Sequence, residues 1–395
     1  MHKTVKPIAT AYLMLTSYSS HAQQQPIRLA EGVELIPAVT INYRHDNNIY
    51  YAESNRETGS VLQTTPQLKL TIHNENYTSQ IDYVGKYGHY LNIQEPDYYD
   101  QGLAAKLSNS AHSKHNVQIG AKIVQGHQPR GTGLTEFDAN ITSRAIKFNQ
   151  YQIDSRYEYG SQGAKGKLAI GINLSQLDYG NFKQLTKNNE YAKYRVFSEF
   201  DYKIGKVTAL SIDLNQTKIV YKHSDSNLAS RDSTESRLLV GAKWSGKSHL
   251  TGQIKFGFQN KTFDAATRAN FNGLAVDINL NWQATSYSEF KLTLGKATKE
   301  SYSNGDYIAE SSTELAWEHA WSAFFKSQIQ VGYSNEDYVG LDRIDHSRHV
   351  KLGLSYLPTK TIRLTASNQI DVKDSTLNQI EYNKNIFSVT LEVLL

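Results

Sequence analysis

Apolar and polar residues take turns along nearly the whole chain. Leu168, Ile170, Ile172 and Leu174 alternate with Lys167, Ala169, Gly171 and Asn173, and Leu274, Val276, Ile278, Leu280 and Trp282 alternate with Ala275, Asp277, Asn279 and Asn281. The same beat runs through 250–259 and 349–356. Successive side chains on a strand point to opposite faces, so each run has one apolar and one polar face. No run shows the 3.6-residue period of an amphipathic helix. The alternating runs are about 10–15 residues long, against about 5–6 for strands of soluble proteins and about 9–11 for a tilted strand that crosses a membrane. No stretch approaches the roughly 18 consecutive apolar residues of a helical span.

Two kinds of connection separate the runs, and they alternate. Long polar segments fall near 44–60, 91–101, 126–144, 179–190, 222–233, 262–271, 300–312, 335–347 and 373–384. Short turns fall near 74–76, 108–113, 161–166, 204–206, 245–248, 284–288, 320–322 and 358–360. Nine long and eight short connections predict about 18 antiparallel strands (16–20), with both ends on the short-turn side. Segment 136–159 has room for one strand or two. An even strand number, long external loops and short periplasmic turns define a transmembrane antiparallel β-barrel of the bacterial outer membrane, an all-β fold. Closure into a barrel also removes the sheet edges that a long β chain would otherwise expose.

Composition narrows the reading further. Of 395 residues, 39% are hydrophobic and mean hydropathy is −0.54, yet 26 are Tyr. Aromatic residues gather toward strand ends, as at Tyr83, Tyr87 and Tyr90 or Tyr157 and Tyr159, where amphipathic rings suit the membrane interfaces. Lys and Arg number 42 against 38 Asp and Glu, a net +4, which excludes a blanket basic surface for nucleic acid. The absence of Cys excludes disulfides and thiolate metal sites. Residues 1–22 read as a signal peptide: Lys3 and Lys6 precede an apolar stretch from Ile8 to Leu15, and Ser20-His21-Ala22 is a small-x-Ala cleavage site. No Cys follows it, so no lipid anchor is expected, and residues 23–395 are read as a single outer-membrane barrel domain. The last run, Phe387, Val389, Leu391, Val393 and Leu395, resembles the C-terminal signal read by the barrel-assembly machinery, with Leu in place of the usual Phe. That machinery and outer-membrane lipid are the expected partners.

Several positions go beyond generic barrel chemistry. Val33-Glu34-Leu35-Ile36-Pro37 followed by Tyr43, Asp46, Asn47 and Asn48, then Thr65-Pro66-Gln67-Leu68 with Tyr83 and Tyr90, resemble the opening of the putative β-barrel porin type 2 family. Arg130-Gly131-Thr132 is similar to its Arg-Gly loop, and Tyr338, Gly340, Arg343, Asp345, Tyr356, Ser375, Tyr382 and Asn385 follow its closing pattern. The resemblance covers Val33 to Leu395. It implies an outer-membrane barrel acting as a conduit for exopolysaccharide or capsular polysaccharide, working beside a periplasmic polysaccharide-export protein. It implies no catalytic or binding residue.

By the alternation, the inward face takes in Lys167, Arg237, Lys243, Lys255, Lys291, Lys351 and Arg363, with Asp213, Asp277 and Asp371 and the neutral Asn279, Asn281, Gln253, Gln259, Gln328 and Gln330. Such a lumen would solvate a hydroxyl-rich or acidic cargo without holding it tightly. Any aqueous lumen must be polar, however, so charges that merely pair across strands explain the same pattern. Tyr50, Tyr51, Tyr98, Tyr99, Tyr307 and Tyr338 could stack on sugar rings or serve as interface and loop packing. Enzyme readings fare badly: His319, His346 and His349 lack a recognisable nucleophile motif. The pairs His112/His115 and His346/His349 lie at turns and loop ends with no fixed face for a metal, and no cofactor is expected. Three functions remain: polysaccharide export, a general diffusion porin for small hydrophilic solutes, and a non-transporting adhesin or scaffold. A diffusion porin would fold one long loop inward, and 126–144 is the best candidate.

Overall fold

In the computed structural model, which describes residues 26–109, 114–161, 163–223, 229–246, 249–302 and 305–395, the chain closes into an antiparallel barrel. The strands are β1 (Ile27–Ala30), β2 (Val33–Asp46), β3 (Gly59–His73), β4 (Tyr77–Tyr90), β5 (Tyr98–Asn109), β6 (His115–Gln128), β7 (Ile146–Tyr159), β8 (Gly166–Tyr179), β9 (Tyr191–Lys203) and β10 (Thr208–Tyr221). They continue with β11 (Ser233–Trp244), β12 (Leu250–Phe263), β13 (Phe271–Thr285), β14 (Ser288–Lys299), β15 (Tyr307–Ala320), β16 (Phe325–Val339), β17 (Ile344–Tyr356), β18 (Ile362–Ser375) and β19 (Tyr382–Leu394). From β2 onward each strand pairs with the next, and β19 returns to β2 from Ile386↔Asp46 to Leu394↔Ala38, so 18 strands make the wall. The extra strand, β1, folds back on the part of β2 that β19 does not reach, with Ile27 opposite Leu35. The expected signal peptide and His112 lie outside the described residues.

Wall strands run from 12 to 15 residues, and the period-two pattern sorts their faces. On β8, Leu168, Ile170 and Ile172 are 46%, 50% and 42% exposed on the outer surface, whereas Ala169 between them is 2% exposed on the inner one. The apolar face therefore meets lipid, and the ladder satisfies the backbone polar groups that lipid cannot. Two glycines mark a close approach between neighbouring strands. A Cβ on Gly241 would lie 1.9 Å from the carbonyl oxygen of Ile254, and one on Gly257 would lie 1.8 Å from that of Leu238. Only glycine lets β11 and β12 approach so closely on the inner side.

Several boundaries differ from the sequence pattern or settle what it left open. Segment 136–159 holds a single strand, β7, after a folded loop. The connection expected near 335–347 shrinks to residues 340–343, because Asn335, Glu336 and Asp337 continue β16 and pair with His346, Asp345 and Ile344. Polar residues at that point mark the top of the lipid zone rather than the end of the strand.

Inside the external end of the wall lies a small apolar core of Val84, Val124, Ile146, Phe148 and Tyr179. Leu134 from loop 129–145, with Phe182 and Leu185 from loop 180–190, pack on it together with Leu177. These buried apolar contacts draw the two loops inward.

Candidate functional site: a loop across the barrel mouth

Loop 129–145 begins with a tight local fold. Gly131 has φ +79, and a Cβ there would lie 1.8 Å from the Tyr50 carbonyl oxygen, so glycine is required for the loop to seat on its neighbour. The Thr135 hydroxyl accepts from Gly131 N at 3.0 Å and donates to Thr132 O at 3.1 Å, and the Asp138 carboxylate accepts from Asn140 N at 2.8 Å. Arg130 binds the near side: Nη1 lies 2.8 Å from Glu95 Oε2, Nε donates to Ala139 O at 2.7 Å, and the guanidinium covers the Tyr50 ring at 4.8 Å. Burial and the Glu95 carboxylate push the Tyr50 hydroxyl up to about 12, so it remains a donor to Glu95 at 2.9 Å.

The far end is held on the other side of the barrel. Around the wall, β7 and β16 stand nine pairings apart in either direction. Yet Glu136, in the loop that leads into β7, accepts from Arg343 Nη1 at 2.6 Å and Nη2 at 2.9 Å, in the loop that follows β16. Lys373 of β18 also reaches Glu136, at 3.6 Å. Loop 129–145 therefore crosses the external mouth as a strap. The Arg343 side chain is 1% exposed, lies over the Tyr338 ring at 3.8 Å, and donates to Asp345 at 3.0 and 2.6 Å. Burial alone would lower its pKa, but hydrogen bonds to Glu136 and Asp345 outweigh that and raise it, so Arg343 stays charged.

Other external loops tie into one another around the rim. Arg231 reaches Asn188 O, Asn189 Oδ1 at 3.0 Å and Ser301 O at 2.9 Å, and Arg268 reaches Asp306 at 2.7 Å and Ala229 O at 2.9 Å. Glu300 is drawn onto Lys261 at 2.6 Å, Lys193 at 3.7 Å and Tyr221 Oη at 2.6 Å. Burial pushes its carboxyl up, but Lys261 and Lys193 override this and hold it down at about 2.

The nine residues singled out for the inner wall each sit on the strand face opposite the exposed apolar one. Lys255 is wholly buried against Asp213 at 2.5 Å; Lys243 pairs with Glu199 and, at 3.0 Å, with Asp201; Lys167 pairs with Glu158 at 3.0 Å. Lys291 meets Glu289 at 3.1 Å and Arg363 meets Glu392 at 3.5 Å. Asp277 accepts from Gln253 at 3.1 Å and Asn279 at 2.5 Å, and Arg237 donates to the Val276 carbonyl at 3.0 Å. The Lys351 side chain has no ion pair or hydrogen bond among the described residues. Lys243 and Lys255 thus share one network around Glu199, which Lys167 joins through Glu158 and Arg156, while the others are dispersed.

Two of the loop tyrosines are not available for stacking on a sugar. Tyr307 is 5% exposed beneath Phe263 and Phe271, and Tyr338 is 6% exposed beneath Arg343. His346 bonds Tyr333 Oη at 3.0 Å on the outer face, while His349 lies 3.9 Å from Glu314 on the inner one. No group of three or more His, Asp or Glu suited to a metal occurs among the described residues. The Glu136–Arg343 latch escaped sequence reasoning because 207 positions separate the two residues. The Arg-Gly pair at 130–131 was its one local signal.

An even-stranded barrel, apolar outside and charged within, with a loop folded across its mouth, is a porin-type channel fold of the Gram-negative outer membrane. The family model described as Putative beta-barrel porin 2 matches residues 34–394, and the chain belongs to that family. Among solved structures the chain is similar to OpdQ of Pseudomonas aeruginosa (13% identity, TM-score 0.48, 91% of this chain and 99% of that one). It is also similar to OccK2 (OpdF) of the same organism (12% identity, TM-score 0.49, 92% and 98%). A third is the FrpB iron transporter of Neisseria meningitidis in its apoprotein form, at 12% identity and TM-score 0.47 over 86% of this chain, which spans 61% of the FrpB length. No curated protein matches the sequence.

Proposed function

We propose that the protein is a general diffusion porin, a passive outer-membrane channel for small hydrophilic solutes whose passage is set by loop 129–145. The observation that carries this reading is the Glu136–Arg343 latch at 2.6 and 2.9 Å, which straps the loop across the mouth. A strapped mouth suits solutes that pass beside the loop in a single encounter. A polysaccharide sliding through in an extended file would need the strap displaced for the whole transit, so export ranks below diffusion. The polar, largely ion-paired inner wall supports the same choice, since conduction requires weak contact with many sites.

The test is reconstitution of the heat-modifiable, folded protein. Steady conductance in planar bilayers and liposome swelling that slows as the solute grows from a pentose to a trisaccharide are the expected results. Folded protein that neither conducts nor admits a pentose would refute the proposal. Loss of surface polysaccharide in a deletion strain, with polymer retained in the periplasm, would restore the export reading.

A further inference from the structure

The strand ladder opens at one place near its external end. β13 runs up to Phe271 and β14 to Lys299, but their pairing stops at Val276↔Lys296. Above that point the end of β14 passes across the inner face of the wall. Thr298 accepts from Gln259 of β12 at 2.7 Å and donates to Glu235 of β11 at 2.9 Å. Glu300, the next residue after β14, continues the crossing to Lys261 of β12, Tyr221 of β10 and Lys193 of β9. Inner-face side chains beneath this cover are shut from water: Ser211, Ser233, Leu239, Lys261 and Ala275, on β10 to β13, are each at most 2% exposed.

Neighbouring sectors are covered as well. The apolar core that takes in Leu134, Phe182 and Leu185 occupies the inner side at β6 to β8. Loop 47–58 leans over β3 to β5, where Tyr50 meets Glu95 and Arg130, and below it Tyr98 of β5 reaches Gln63 of β3 at 3.1 Å. The sector left is β18, β19 and β2. Thr365 and Ser367, Ser388 and Thr390, and Thr40 and Asn42 share its inner face, and all six are partly exposed. They are contiguous in register, through Thr365↔Thr390, Ser367↔Ser388 and Thr390↔Asn42. None of the six is charged, although Arg44 beside Ser388 and Lys351 on β17 border them. Asn42 donates to Thr390 at 2.6 Å, whereas the Ser367 and Ser388 hydroxyls make no hydrogen bond among the described residues.

We infer that the pore runs along one side of the barrel, over β18, β19 and β2, and that their hydroxyl and amide side chains form a sliding contact for small hydroxyl-rich solutes. This rests on the diffusion-porin reading and deepens it by naming the path and the solute class. A hydroxyl donates one hydrogen bond and accepts two, so Ser367 and Ser388 replace the water on a sugar and release it as readily. Bound water and solute simply exchange, and no covalent step is involved.

The chain has no cysteine, so an introduced one reacts alone. Ser388→Cys and Ser233→Cys are recorded in planar bilayers while a water-soluble sulfonated thiosulfonate is added. Current through Ser388→Cys should fall by about a third or more, and current through Ser233→Cys should hold. An unchanged Ser388→Cys, or an equal fall in Ser233→Cys, would overturn the path. Liposome swelling with a pentose tests the contact. Ser367→Ala/Ser388→Ala should slow it about twofold or more, while Ser233→Ala keeps the wild-type rate. A double variant that swells like wild type would overturn the solute class. A barrel that neither conducts nor swells refutes the diffusion reading alone, because labelling of the folded protein with a water-soluble maleimide still decides the path. Ser388→Cys should label about tenfold or more faster than Ser233→Cys, and equal rates would overturn the inference. Each protein is first shown folded by heat-modifiable mobility, and Ser367→Cys on the facing strand serves if Ser388→Cys does not assemble.

Discussion

Exchanging Glu136 for Gln removes the negative charge that holds the strap while keeping its shape. In the native latch Glu136 accepts two charge-assisted hydrogen bonds from Arg343, and the two side chains are 13% and 1% exposed. Contacts of this kind contribute about 1.5–3 kcal/mol each. The loss is smaller than their sum, because the Gln oxygen still accepts one bond and Arg343 keeps Asp345 at 2.6 and 3.0 Å. A net loss of about 2–3 kcal/mol follows, a shift of roughly 30- to 160-fold in the balance between strapped and released loop. Arg343→Met should be harsher, at about 3–5 kcal/mol, since it removes the partner of two carboxylates at once. Single-channel recording is the assay. Glu136→Gln should show larger and noisier conductance than wild type, Arg343→Met more so, with both proteins heat-modifiable. Traces identical to wild type from folded Glu136→Gln protein would mean that the loop is held by its apolar contacts and not by the latch.

Two further predictions address the wall and the rim. Ile278 pairs with Ile254 and Leu294 in the apolar band, so Ile278→Lys should cost about 2–4 kcal/mol, while Asn279→Lys beside Asp277 should be tolerated; equal damage in heat-modifiable folding would overturn the assignment of faces. Glu300 titrates at about 2 against an ordinary 4.5, so its stabilisation is complete above pH 4.5 and is lost as pH falls toward 2. Glu300→Gln should flatten the pH dependence of the thermal unfolding midpoint in that window, and a variant as acid-sensitive as wild type would refute the role given to Glu300.

The barrel was legible because lipid imposes a two-residue period that no soluble context disguises over runs such as Leu274 to Trp282. Strand number followed from the alternation of long and short connections, down to the eighteenth wall strand. What the pattern could not place was the end of a strand above the membrane. Asn335 and Asp337 share the outer face with Tyr333 above the lipid, while Glu336 is buried on the inner side against Lys299 and the Tyr338 hydroxyl, so all three read as a loop while continuing β16. The strap was hidden for a different reason. Its local turns are written in Gly131, Thr132 and Asp138, but its direction depends on Arg343 arriving from the opposite wall.

The join between β19 and β2 has a consequence for assembly. It rests on nine residue pairs, against fourteen between β6 and β7, and Leu395 N adds a bond to Pro37 O at 3.1 Å just below it. Every other pairing in the wall is a hairpin that neighbouring sequence can zip on its own, but this one joins segments more than 300 positions apart. The ring thus stays open until its most distant strands meet, and losing residues 391–395 would remove four of the nine pairs that shut it. Closure acts as a completeness check, in which a chain lacking either strand keeps two raw edges and remains a substrate for proteases rather than a finished pore.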